Sequence, residues 1–201
     1  MSPRPFVTSR NTLGFTPNSR VYDFSSYSFD ASINTTLFTL AAGGCICVPS
    51  ESDRKENLKQ SIVFLNANVI DLTPSVAQLL LPEDVPSVQI VALSGEALPV
   101  QAIRPWWDKV RVINVYGPAE CTATSTKNTN ASCLEEAARI GIGVGQMSRI
   151  IDAGNYNILT PTGCVGDLLL EGPLVGLGYL DDPKRPLQHL LRIHLDCFKA
   201  Y

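Results

Sequence analysis

The strongest constraint on the fold is the alternation of short apolar runs with stretches long enough to hold a helix. Residues 21–24, 45–48, 68–71, 88–93 and 111–116 are rich in the β-branched, aromatic and aliphatic types that suit strands. The interval between each pair can accommodate a crossover helix, the connection that parallel strands require. In the first interval Ile33, Leu37, Leu40 and Ala41 recur at helical spacing, and Gly43 with Gly44 supplies a stop. Leu58, Ile62 and Leu65 repeat the pattern and predict a helix over 54–67; another, over 99–109, opens on Pro99, which suits a first helical turn. The expected fold is α/β, a mostly parallel sheet with crossover helices.

After about residue 131 the texture changes. Ser132 and Glu135 have the spacing of a capping box, and strand-like runs follow at 156–159 and 168–171. The TPTG between them, 160–163, predicts a turn and antiparallel pairing. The expected division is therefore an α/β part over 1–130, a smaller antiparallel β subdomain over 131–183, and a tail over 184–201 with no assigned structure.

Composition narrows the classes of function. With 45% hydrophobic and 17% charged residues, a chain of 201 residues can bury a real core. A net charge of -3 with scattered Lys and Arg offers no basic field for a nucleic-acid backbone. No apolar run approaches the roughly 20 residues that span a bilayer, and the first 16 residues lack the apolar core of a signal peptide. A cytoplasmic location is the expectation, with neither nucleic acid nor membrane as partner. The six cysteines show no CxxC pair and no metal-ligand spacing, which predicts buried free thiols.

Four segments carry more specific information: SFDAS at 28–32, SGEALP at 94–99, NVYGPAE at 114–120 and GDLLLEGPLVGLGYL at 166–180. Their order and spacing resemble the core signatures of adenylation domains of nonribosomal peptide synthetases, within the wider family of adenylate-forming enzymes. The resemblance implies part of that family's large lobe and a fragment of an amino-acid-activating ligase. Such enzymes join a substrate carboxylate to the α-phosphate of ATP with Mg2+, release pyrophosphate, and pass the acyl group to a phosphopantetheine thiol on a carrier protein. Carrier-protein and condensation domains are the implied partners. The chemistry depends on aligning and neutralising negative charge more than on acid/base groups, and the only histidines, His189 and His194, lie outside every motif.

By the same resemblance Asp30 pairs with the substrate's α-ammonium; taken alone it also reads as a first-turn acid favoured by the helix dipole. Asn34, four residues on, shares its helix face. Ala31, Asp71, Ala92, Ser94, Val115, Ala123 and Thr124 would line the side-chain pocket, although Ala92 and Val115 alone read equally as packing. If Asp30 and Asp71 share one cavity, the α-ammonium satisfies only the first, so a polar or basic substrate is expected. Asn114 and Tyr116 would sit on the adenine, Gly95, Glu96 and Ala97 would present backbone to its edge, and Gly117 completes the nucleotide set. Glu120 would hold magnesium. Ala119 stands where the family often has threonine, and Asp167 where it usually has glutamate. The GIGVG at 141–145 lacks the spacing of a dinucleotide fingerprint and reads as loop.

The family's Gly/Ser/Thr-rich triphosphate loop has no counterpart in 1–20, and its ribose-binding aspartate and activating lysine have none after 183. The expectation is an inactive fragment produced by truncation or a gene-model error. Two other readings stand beside it: a fragment of an acyl-CoA or aryl-acid ligase, whose substrate needs no Asp30 carboxylate, and a non-catalytic relic or binding module.

Overall fold

The computed structural model describes residues 13–181 and the backbone of 190–193, so most of the expected tail lies outside the described residues. The larger sheet has seven strands. Five are parallel, in the order β2 (Cys45–Cys47), β1 (Arg20–Tyr22), β3 (Val69–Leu72), β4 (Ile90–Leu93), β5 (Arg111–Tyr116). All five lie within or next to the runs expected from sequence. Two short antiparallel strands, β6 (Thr126–Asn128) and β7 (Ile142–Gly143), extend the β5 edge. Because β1 pairs with both β2 and β3, the strand order reverses there. Such switch points place ligands beyond the carboxyl ends of the strands.

The strands are apolar on both faces, as parallel strands covered on two sides must be. Val21, Val69, Ala92, Ile113 and Val115 pack on one side with Phe38, Leu13 and Phe15. Tyr22, Ile70, Leu72, Val91 and Leu93 pack on the other with Ile62, Leu80, Ile103 and Trp106. The period-2 alternation of side chains in a strand assigns successive residues to the two cores.

The helices depart from expectation in instructive ways. The first, α1 (Asp30–Ala41), is present, yet its apolar stripe faces outward: Ile33, Leu37 and Leu40 are 56%, 43% and 58% exposed. The buried face is Ser32, Thr35, Phe38 and Thr39. Two of the hydroxyls are satisfied locally, Ser32 Oγ donating to Phe29 O at 2.7 Å and Thr39 Oγ1 to Thr35 O at 2.5 Å, so small polar side chains let the helix approach the sheet. The helix expected over 54–67 is two, α2 (Glu51–Glu56) and α3 (Leu58–Phe64), broken at Asn57 with φ −127° and ψ 37°. After α4 (Pro74–Ala77), the helix expected over 99–109 shrinks to α5 (Val100–Ile103). The fully buried Trp106 anchors the turns that follow, and Asp108 is left-handed at φ 63°. In α6 (Leu134–Ala137) the cap uses Glu136 rather than Glu135: Ser132 N and Oγ both donate to Glu136 Oε2 at 2.7 Å.

The second sheet is antiparallel and three-stranded, in the order β10 (Leu190–Ile193), β9 (Asp167–Glu171), β8 (Met147–Ile151). The strand that precedes β9 and pairs with it is β8, not the run at 156–159, which contributes a single bridge from Leu159 to Ile151. Asp152 explains the difference: its Oδ1 accepts from the backbone N–H of Gly154 and Asn155, folding that stretch as a turn. Nor is GIGVG wholly loop, since Ile142 and Gly143 form β7; Gly141, at φ 77°, turns the chain back against β6. Of five described cysteines only Cys47 and Cys121 are buried, so the expectation of buried thiols fails for Cys45, Cys133 and Cys164.

Candidate functional site

Beneath the carboxyl ends of the central strands lies a small cavity bounded by Asn34, Thr35 and Phe38 of α1, Asp71 of β3, Ala92 of β4, Val115 of β5, Thr124, and Leu13 with Phe15 from the segment before β1. Its volume is about 10 Å³, room for about one water. Five of the residues expected to line the substrate pocket, Asn34, Asp71, Ala92, Val115 and Thr124, meet in it. Asn34 Nδ2 donates to Thr124 Oγ1 at 2.7 Å, bridging 90 residues of sequence. Asp30 and Ala31 lie one turn earlier on α1, half-buried and outside the cavity wall. Leu13, Phe15, Thr35 and Phe38 were not legible as pocket residues; the apolar pair flanking Gly14 just before β1 was the available signal.

Asp71 is the electrostatic centre of this cavity. Ser94 Oγ donates to Asp71 Oδ1 at 3.0 Å, and among the described residues no ion pair involves the carboxyl. Burial pushes its pKa from 3.8 to about 6, a rise the Ser94 hydrogen bond only partly offsets.

Beyond β5 the chain makes a tight turn. Gly117 lies so close to it that a Cβ there would meet Ala123 O at 2.4 Å and Ser125 N at 2.7 Å. Ala119–Cys121 is one 3-10 turn, and Thr122 and Ala123 follow at φ 62° and 60°. Two successive non-glycine residues in the left-handed region are strained, and such strain persists only where surroundings fix it.

The nucleotide-side expectations divide. Tyr116 is half-buried, its phenol pushed up to about 12 by burial, with Cys121 and Glu120 adding to the rise, so it stays neutral. Asn114 is buried, and its Nδ2 donates to Ala137 O and Arg139 O at 3.3 and 3.0 Å, a role in holding the turn after α6. Gly95, Glu96 and Ala97 are exposed. Glu96 accepts from Ser75 N and Oγ at 3.0 and 2.5 Å, clamping this loop to the start of α4. Glu120 accepts a hydrogen bond from Tyr179. The described residues contain no group of three or more His, Cys, Asp or Glu that could hold a metal ion. A cation at Glu120 would therefore take its remaining ligands from phosphate oxygens and water, a coordination that suits magnesium.

Two larger cavities lie elsewhere, one of about 520 Å³ at the amino end of β5 and one of about 770 Å³ between α2, α3 and α4. Neither is lined by a motif residue, so size does not mark the site here.

Residues 4–180 match the AMP-binding enzyme family. The chain belongs to the AMP-binding enzyme family. It is 53% identical over 173 residues to the nonribosomal peptide synthetase dtxS1 of Metarhizium robertsii, a match covering 86% of this chain and 2% of that protein. It is 52% identical over 170 residues to peramine synthetase A of Epichloe festucae, covering 85% of this chain and 6% of that one. Among solved structures it is similar to the Vibrio cholerae adenylation domain AlmE in complex with glycyl-adenosine-5'-phosphate. The TM-score is 0.80 at 25% identity, over 94% of this chain and 39% of AlmE. This member of the AMP-binding enzyme family thus spans a small part of the synthetases it matches. No helix among its described residues is long and apolar enough to cross a membrane.

Proposed function

We propose that this chain is the substrate-selecting part of a nonribosomal peptide synthetase adenylation domain, which activates a polar or basic amino acid as its adenylate for transfer to a carrier-protein thiol. The observation that carries the reading is the cavity itself. Residues as far apart as Asn34 and Thr124 converge on it, and five of its nine lining residues are ones that the family resemblance implies for the substrate pocket, Val115 lying inside a motif and the other four outside the motif strings. In this reading Asp30, at the start of α1, offsets the desolvation of the substrate ammonium. Ala31, Ser94 and Ala123 flank the side-chain pocket, Tyr116 offers its ring to the adenine, with Gly95, Ala97 and Gly117 beside it, and Glu120 holds magnesium. The metal would supply neutralisation of phosphate charge, while the chain aligns the substrate.

The test is binding by the 201-residue chain of aminoacyl-sulfamoyl-adenosines, stable mimics of aminoacyl adenylates, read as a shift in melting temperature. Analogues carrying polar or basic side chains should stabilise the chain, and Asp30→Ala should remove the effect while leaving that of AMP. An amine-free aryl analogue that stabilises as strongly would favour an aryl-acid ligase, and no response to any aminoacyl analogue would end the proposal. The chain alone should not catalyse ATP–pyrophosphate exchange above a control without amino acid, since nothing in 1–20 matches a triphosphate loop.

A further inference from the structure

The segment following β9 folds back onto the turn that carries three of the site residues. Three hydrogen bonds join them. Gly176 N donates to Glu120 O at 2.7 Å, Thr122 Oγ1 donates to Leu174 O at 2.9 Å, and the Tyr179 hydroxyl donates to Glu120 Oε1. Between these polar contacts Val175 is buried in one cluster with Cys121, Ile140, Leu168 and Leu170. The strap is therefore anchored both by packing and by hydrogen bonds, and its contacts fall on Glu120 and Thr122 themselves.

What those contacts hold is not a relaxed turn. Thr122 and Ala123 are both left-handed, and Thr124 N reaches back to Thr122 O at 2.7 Å before Thr124 Oγ1 accepts from Asn34. A pair of non-glycine residues in this region relaxes unless its surroundings over-determine it. The Thr122 hydroxyl supplies a tether from outside the turn. At the other end of the same short segment, a free glutamate side chain would sample several rotamers, each costing order when a ligand fixes it. A phenol donor on one carboxylate oxygen restricts that search and leaves the second oxygen available.

We propose that residues 172–179 act as a positioning strap for the site, in which Tyr179 orients the Glu120 carboxylate and Thr122, tied to Leu174, fixes the strained turn that presents Ala123 and Thr124 to the pocket. The inference rests on the reading of Glu120 as the magnesium residue. One strap thereby sets the metal carboxylate and the pocket wall together, and a shift in either moves the other.

Two measurements on the 201-residue chain test it. Equilibrium binding of Mn2+·ATP and of metal-free AMP is compared for the unmutated chain and Tyr179→Phe. Loss of one charge-assisted hydrogen bond should weaken Mn2+·ATP by about threefold to tenfold and leave AMP unchanged. Amide exchange at Thr124 and Ser125 should rise about fivefold in Thr122→Ala, with β3 and β4 unaffected, and Thr122→Ser should restore it. The proposal is overturned if Tyr179→Phe leaves Mn2+·ATP affinity unchanged or weakens AMP equally, or if exchange in Thr122→Ala does not change or rises throughout the sheet. Failure of the unmutated chain to bind Mn2+·ATP while still binding AMP would instead remove the assignment of Glu120 to the metal, and the proposed Tyr179 role with it.

Discussion

Ser94 donates to Asp71 across 3.0 Å, joining the ends of two neighbouring parallel strands. The register places Asp71 opposite Ala92, so Ser94 is the next residue on the same face of β4's extension. A single neutral hydroxyl is a weak partner for a carboxylate in this setting, and the raised pKa of about 6 follows from that imbalance.

The first prediction concerns pH. The folded pKa of Asp71 lies above its unfolded value, so folding favours the protonated form. Below about pH 4 the group is protonated in both states and has no effect. As pH rises from about 4 through 6 the unfolded chain ionises first, and stability falls. Asp71→Asn keeps an acceptor for Ser94 and removes the titration. It should be more stable than the unmutated chain at pH 7.5, by up to about 3 kcal/mol at roughly 1.4 kcal/mol per pKa unit, and equal to it near pH 4. Denaturant unfolding at both pH values checks this, and a difference that does not change with pH would refute it.

Gly117 gives a prediction about the turn. A Cβ at this position meets the backbone of Ala123 rather than the end of a flexible side chain, so the turn itself must shift. Gly117→Ala should destabilise the chain by about 1–3 kcal/mol, as overpacking does. It should also break the Asn34–Thr124 hydrogen bond, visible as loss of a distinct, slowly exchanging Asn34 amide signal in NMR spectra. A variant with unchanged stability would show that the turn is softer than its contacts suggest.

The outward stripe of α1 bears on association. Ile33, Leu37 and Leu40 form a row at i, i+4 and i+7 on one exposed helix face, and exposed Phe29 and Tyr27 precede them. The chain should self-associate, and Leu37→Glu with Leu40→Lys should reduce the sedimenting mass at a given concentration with little change in melting temperature, because none of these side chains contributes to the core. Equal association by the double variant would place the sticky surface elsewhere.

The stripe also shows what a sequence can and cannot disclose. Periodicity revealed that 30–41 is a helix but not which way it faces, because the sheet side is built from Ser32, Thr35 and Thr39, residues that usually mark a solvent face. The five parallel strands were legible because both faces are apolar and the runs stand out. Strands β6 to β8 were not, being short or mixed in polarity, and the Asp152 turn displaced the expected partner of β9. At the site, the family resemblance, rather than any motif string, pointed to Asn34, Asp71 and Thr124, whose types matter to chemistry. It did not reveal Leu13, Phe15 or Phe38, whose contribution is shape, nor the Ser75 clamp on Glu96, which depends on a contact 21 residues away.

The last prediction concerns substrate choice, where the two acids divide the work. In the proposed reading Asp30, at the first turn of α1, would face the part common to every amino acid, and Asp71, inside the cavity, the part that differs. Among the described residues the side-chain hydrogen bond to Asp71 comes from Ser94, which relieves the carboxyl only partly, while Asn34 Nδ2 donates to Thr124. On that reading a substrate side chain that donates a hydrogen bond or carries a cation would be favoured, whereas an aliphatic one would leave the carboxyl buried against hydrocarbon. The cavity holds about one water, so any side chain longer than a hydroxymethyl must displace part of its lining, in which Leu13 and Phe15 are the residues outside α1 and the strands that contribute only bulk. With residues 13–181 completed by the flanking adenylation-domain segments of dtxS1, ATP–pyrophosphate exchange should be fastest with a polar or basic amino acid. Asp30→Ala should lower the rate by about a hundredfold or more with all of them, the order expected when one partner of a buried pair worth about 3 kcal/mol is removed. Asp71→Leu should retain exchange but shift preference to apolar substrates, and Phe15→Ala should admit longer polar side chains without that shift. If the unmutated domain already prefers leucine or phenylalanine, Asp71 is not the selecting residue and its raised pKa belongs to the fold alone.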